Sequence, residues 1–232
     1  MPHLLIPIWF YGFDSAMYLI SSLIGFLISF NSYKLYSITR KKSHFYLHLG
    51  FMFLSLGLLL LSLASEYSYI TLRSCLKSCE LSLFDTVFDV EDLGYILYFC
   101  FSIIGYVSLA FAYTPEKNKT PLFILIFVLL LSIIPILLST PRSEILLWYS
   151  YHQYAHLLSF IIAGYILFRV FINFMESKDS NSFLVFLGFT GIIVFHILHI
   201  FSYITPWMYV FAHISLIIGY LSLLAMLIKV RH

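Results

Sequence analysis

Residues 145–174 read ILLWYSYHQYAHLLSFIIAGYILFRVFINF, thirty positions with one charged side chain, Arg169, and two histidines, His152 and His156. A helix needs about 20 largely apolar residues to cross the hydrocarbon core of a bilayer, so this stretch is long enough to span with some tilt. Six further stretches have the same character: 14–36, 43–65, 92–114, 121–140, 182–205 and 206–230. Pro115, Pro121, Pro141 and Pro206 sit in or beside the breaks, where a missing N–H is tolerated. The sequence therefore predicts an all-α integral membrane protein, a seven-transmembrane helix bundle forming one polytopic domain over residues 1–232. Composition agrees. Of 232 residues, 61% are hydrophobic and 10% charged, and the mean hydropathy is +0.95; soluble domains are nearer half apolar and a quarter charged. The N-terminal residues lack a basic region ahead of the first apolar run, so they do not read as a cleavable signal peptide.

Orientation follows from the basic residues, which accumulate on the cytoplasmic side of membrane proteins. With the N-terminus outside, the inner loops and tail hold ten of the 13 Lys and Arg, and Arg73, Lys77 and Arg142 are outside. The N-terminus is thus expected outside, the C-terminus in the cytoplasm, and the chain in the cell membrane as a multi-pass protein. The longest connection, 66–91, becomes extracellular. Cys75 and Cys79 lie within it, an i,i+4 pair that an oxidising exterior permits to form a disulfide. Leu81–Val90 alternates enough for a short amphipathic segment at the membrane surface.

Ionisable side chains inside a membrane are costly and mark function by default. Five histidines fall at one depth on the last three spans: His152, His156, His196, His199 and His213. At ~1.5 Å of rise per residue they lie ~9–16 Å below the outer helix ends. His152 and His156 are four apart and His196 and His199 three apart, so each pair shares a helix face. Histidines at such spacing, joined by others from neighbouring helices, are how helical metal sites are built. Glu66, Glu91 and Asp92 stand at the outer ends of spans two and three as candidates for an additional ligand or a base. Tyr151, Tyr154, Ser202 and Tyr209 are candidates for hydrogen bonds that orient the rings. Imidazole with carboxylate suits Zn, Fe, Mn or Cu, and such an ion does redox or hydrolytic chemistry on a membrane-soluble substrate, a lipid or a quinone-like molecule.

Two other readings compete. A haem b takes one imidazole on each face, with Gly164, Gly188 and Gly191 making room and Arg73 or Arg142 pairing with propionates; five histidines exceed what one haem needs. Without any cofactor the histidines bridge helices or titrate as an external pH sensor, in a transporter or assembly subunit whose partner is another membrane protein. Against transport, spans one and three offer few polar groups leading inward. Basic residues are too scattered for nucleic acid. The one lysine of the last span, Lys229, is at its inner end, leaving no mid-membrane amine for a Schiff base. His44 and His48, beside Lys41 and Lys42, read as interfacial.

Overall fold

The computed structural model of the chain describes residues 12–75, 82–115, 123, 127, 144–202 and 204–231; for 72–75, 82–89, 91, 92, 144–152, 206 and 231 it describes the backbone alone. Six α-helices account for nearly all of them: α1 Phe13–Thr39, α2 Lys42–Cys75, α3 Ser82–Ala112, α4 Glu144–Ser177, α5 Ser180–Ile200 and α6 Pro206–Arg231. Each contains a segment long and apolar enough to cross a membrane, and no strand occurs among the described residues. The chain is a multi-pass, all-helical membrane protein, with its outward-facing Leu, Ile and Phe side chains placed to meet lipid. The expected fourth span, 121–140, lies outside the described residues apart from Phe123 and Phe127.

The connection expected over 66–91 is largely helical. α2 continues to Cys75 and α3 starts at Ser82, because no Gly or Pro occurs between Glu66 and Asp92 to stop either helix. The amphipathic stretch at Leu81–Val90 is the opening of α3 from Ser82 onward. Cys79 lies outside the described residues, and so does the expected disulfide. Elsewhere the turns end the helices by local chemistry. Arg40 adopts a left-handed conformation (φ 55°) and donates its N–H to Tyr36, closing α1. Lys178 (φ 52°) does the same for α4; Asp179 then caps α5, accepting the Ser182 N–H at 2.6 Å. That bond holds the Asp179 carboxyl below the usual carboxylate range.

Contacts run α1–α2, α2–α3, α3–α4, α4–α5, α5–α6 and back from α6 to α1, so the six helices close a ring. Their directions can be read from paired levels. Ser15 meets Glu66 and Ser29 meets His48, so α1 and α2 are antiparallel. Tyr106 meets His196 beside His156, and Thr114 meets Tyr165, so α3 and α4 run parallel. Tyr18 packs on His213 and Gly25 faces Tyr220, so α1 and α6 are parallel as well.

Small residues bring these axes together. A Cβ on Gly191 would stand 2.6 Å from the Ser215 carbonyl oxygen, and one on Gly219 2.7 Å from that of Gly188. The α5–α6 contact is therefore backbone against backbone. Gly191→Val is expected to force these helices apart and cost about 1–3 kcal/mol, read as a lower thermal or denaturant midpoint in detergent. Gly164→Ala, where a Cβ meets nothing within 4 Å, serves as the neutral control.

Candidate functional site: a buried imidazole and phenol cluster

Each histidine of the cluster enters the ring from a helix whose buried face is mostly apolar. α4 carries His156 about one turn before Ser159 and nearly two before Ile162; α5 carries His196 and His199 about one turn apart, just after Phe195; α6 carries His213 beside Ala212. Exposure is 3% for His156 and 0% for His196, His199 and His213. All four are therefore removed from both lipid and water, and their polar atoms depend on what the bundle supplies.

Two of the rings form a hydrogen-bonded line across three helices. The Tyr106 hydroxyl on α3 lies 2.7 Å from His196 Nε2. His196 Nδ1 lies 3.0 Å from His156 Nδ1 on α4. One nitrogen of that pair must donate and the other accept, so the tautomers of His196 and His156 are linked to the direction of the Tyr106 bond. His199 is oriented differently. Its Nδ1–H donates to the Phe195 carbonyl at 3.1 Å, a bond that puts the lone pair on Nε2.

The remaining contacts are ring against ring. His156 and His199 stack with centres 4.5 Å apart, and His199 and His213 meet edge to face at 5.2 Å. Tyr209 packs 5.0 Å from His199 and 4.7 Å from His213, and Tyr18 closes the far side of His213 at 4.7 Å. Both nitrogens of His213 are buried without a hydrogen-bond partner among the described residues. Such an orphaned group costs about 1–3 kcal/mol. Among the described residues no three His, Cys, Asp or Glu side chains stand as a preformed ion cage, since the rings meet by faces and edges.

The cluster thus brings together four of the five predicted histidines. The side chains of His152, Tyr151, Glu91 and Asp92 lie outside the described residues. Glu66 is not in the cluster; its carboxylate accepts from Ser15 Oγ at 2.7 Å, at the rim of the same end. Ser202 bonds the His199 carbonyl at 2.8 Å rather than the ring. Tyr154 is half-buried on α4 against the core. Tyr209 does touch the imidazoles, and its hydroxyl reaches Asp14 Oδ2 at 3.4 Å, a path toward the rim. Sequence reading missed Tyr106 and Tyr18. Both were visible as tyrosines within spans, but nothing in spacing along one helix marks which of 18 tyrosines turns inward at the level of a distant histidine. The polar lining was also underestimated: Ser15, Ser21, Ser22, Ser29 and Ser32 all lie on the buried face of α1.

No family model matches this chain, and neither does any curated protein or solved structure. The site therefore rests on its own geometry. In chelator-treated protein, His213→Leu should leave the melting temperature unchanged or raise it, because it removes two orphaned nitrogens from an apolar surround. Tyr106→Phe, which strips a partner from His196, should lower stability by about 1–2 kcal/mol, measured by the same unfolding assay.

Proposed function

We propose that this protein is a membrane metalloprotein in which His156, His199 and His213 hold one transition-metal ion, Zn, Fe, Mn or Cu, in the outer half of a seven-helix bundle. The observation that carries the reading is His213, fully buried with neither ring nitrogen hydrogen-bonded among the described residues, yet in ring contact with His199, which stacks on His156. Imidazoles sharing one tetrahedral ion through bonds of about 2.0–2.1 Å hold their centres about 5 Å apart. The spacings of 4.5 and 5.2 Å match that separation. His156 and His199 meet face to face and His199 and His213 edge to face, so holding one ion requires the rings to turn about their side-chain torsions until their nitrogens converge.

The outer contacts are those metal-binding histidines use. His199 donates its other nitrogen to a backbone carbonyl, and His156 is held through His196 by Tyr106. His196 is then an orienting group rather than a ligand. His152, one turn before His156 on α4, is the candidate fourth imidazole. Haem b suits the arrangement less well, because a porphyrin lies between its axial imidazoles whereas these rings touch one another.

Burial bears on the chemistry. Hydrolytic sites keep an open position for water and substrate, while electron exchange with a membrane-soluble carrier works through a closed wall. The near-complete burial of the four rings favours the redox reading, which Fe, Mn or Cu would serve and Zn would not, with a quinone-like molecule rather than a hydrolysable lipid as partner.

Topology supports the outer placement. Parallel α3 and α4, and parallel α1 and α6, each require the chain to cross back between residues 115 and 144; the apolar stretch 121–140 is the span proposed to do so. Seven crossings place the termini on opposite sides, and the basic residues assign the N-terminus to the exterior and the chain to the cell membrane. With the native cysteines replaced by Ser, a cysteine at Ser37 should be labelled by an impermeant maleimide only from inside and one at Tyr69 only from outside.

The deciding experiment is elemental analysis of protein purified without chelators, with a visible spectrum before and after dithionite. About one ion per chain, lost in His199→Ala and His213→Ala and kept in His48→Ala, is expected. Tyr106→Phe should weaken metal affinity about 10–100-fold. A Soret band would replace the ion with haem b. Protein carrying neither would leave the Tyr106–His196–His156 line as a metal-free, proton-responsive helix bridge.

A further inference from the structure

Between Glu144, which opens α4, and Glu176 near its end, the one fixed charge on the helix is Arg169. A guanidinium keeps its proton at any physiological pH, so burial cannot neutralise it. Its Nε is buried and hydrogen-bonded to no described residue. A buried charged donor of this kind costs free energy until an acceptor reaches it.

The depth of Arg169 follows from its neighbours. Tyr165, one turn earlier on the same flank of α4, bonds Thr114 at 2.9 Å, just past the end of α3 at Ala112. α3 and α4 run parallel, so Arg169 stands ~6 Å beyond that level. There the chain has left α3, and residues 115–120 read PEKNKT. A polar run directly after a membrane span marks the headgroup layer, where arginine side chains meet phosphate.

No carboxylate among the described side chains answers the charge. Asp179 is engaged as the cap of α5, accepting the Ser182 N–H. Glu176 is exposed seven residues further along α4, ~10 Å away on the axis. Asp14 and Glu66 belong to the opposite end of the ring. The surroundings suit a lipid. Phe168 beside Arg169 is exposed, and Ile172 one turn on is half-buried, a bed for an acyl chain. Val170 and Asn173 line a cavity of about 210 Å³, which adjoins a second of about 260 Å³ across Tyr113. Asn173 adds neutral N–H donors one turn beyond the guanidinium.

The guanidinium presents Nε–H and one Nη–H side by side, a fork that matches two oxygens of a phosphate. Net charge then selects among lipids. A zwitterionic lipid brings its own ammonium to its phosphate, whereas an anionic lipid leaves that charge for Arg169. We propose that Arg169 binds the phosphate of an anionic phospholipid through Nε and one Nη, with an acyl chain along Phe168 and Ile172 and the polar head toward Asn173. The assignment concerns the lipid alone and stands apart from the ion proposed at the histidine cluster.

The test titrates the full chain in detergent with dioleoylphosphatidylglycerol or dioleoylphosphatidylcholine and counts retained lipid by native mass spectrometry. One phosphatidylglycerol is expected, held about tenfold or more tighter than phosphatidylcholine. Arg169→Gln should abolish the preference, and Arg169→Lys, which keeps the charge and loses the fork, should retain part of it. Lys34→Gln, which removes a basic side chain near the end of α1 packed over Phe30, and Tyr106→Phe should leave it whole. The preference is read on the unmodified chain, so a variant that fails to fold does not decide the matter. Equal binding of the two lipids, or a preference unchanged in folded Arg169→Gln, would overturn the assignment. So would displacement of the lipid by inorganic phosphate at about 1 mM, which makes this a site for the free ion. A preference that emerges only in Glu116→Gln would overturn it as well, making a carboxylate of the chain the partner of Arg169.

Discussion

Inside a bilayer no water is at hand to satisfy a polar group, and that constraint shapes everything else in this protein. The line from Tyr106 through His196 to His156 is its central consequence. Three helices distant in sequence are held at one level because each needs the hydrogen bond that the next provides. Remove any member and a buried donor or acceptor is left in an apolar surround, at a cost greater than the bond itself contributes. His199 solves the same problem with its own helix backbone, and His213 does not solve it among the described residues. The imbalance at His213 is what turns a structural network into a candidate ligand site.

The ring closes tightly enough for this network because glycine and serine stand where helices cross. Gly188, Gly191 and Gly219 let α5 and α6 meet through backbone. On α1, Ser22 bonds the Ser55 carbonyl and Ser15 both receives a bond from Ser62 and donates to Glu66. Lipid tails are as apolar as leucine, so such short side chains and their hydrogen bonds, rather than hydrophobic burial, hold membrane helices together. The serines also give α1 a more polar inner face than its composition suggests, which weakens the argument against a polar route along this helix.

The two ends of the bundle differ in kind. The end with Asp14 and Glu66 leads through Tyr209 to closed imidazoles with no measurable exposure at three of four positions. The other end has open volume between helices, neutral hydrogen-bonding groups and a basic rim.

Much was legible before any coordinates. Apolar runs of about 20 residues bounded by Pro and Lys/Arg identified every described span, because the bilayer imposes that length on any helix crossing it. Histidine spacing along α4 and α5 identified faces, since the helical period alone decides which side chains point together. The extension of α2 and α3 past the expected span ends was not read, although the lack of Gly and Pro over 66–92 was the signal for it. What the sequence by itself determined is thus the described helices and which imidazoles share a helix face, consequences of local geometry. Only the tertiary structure decided that Tyr106 and Tyr18 join the cluster, that His196 bridges while His213 is left unbonded among the described residues, that Glu66 turns to Ser15, and that cavities open around Tyr113. Those outcomes depend on how each helix is rotated about its axis and which neighbour it meets, and in a chain apolar on nearly every face no periodicity along one helix records that rotation.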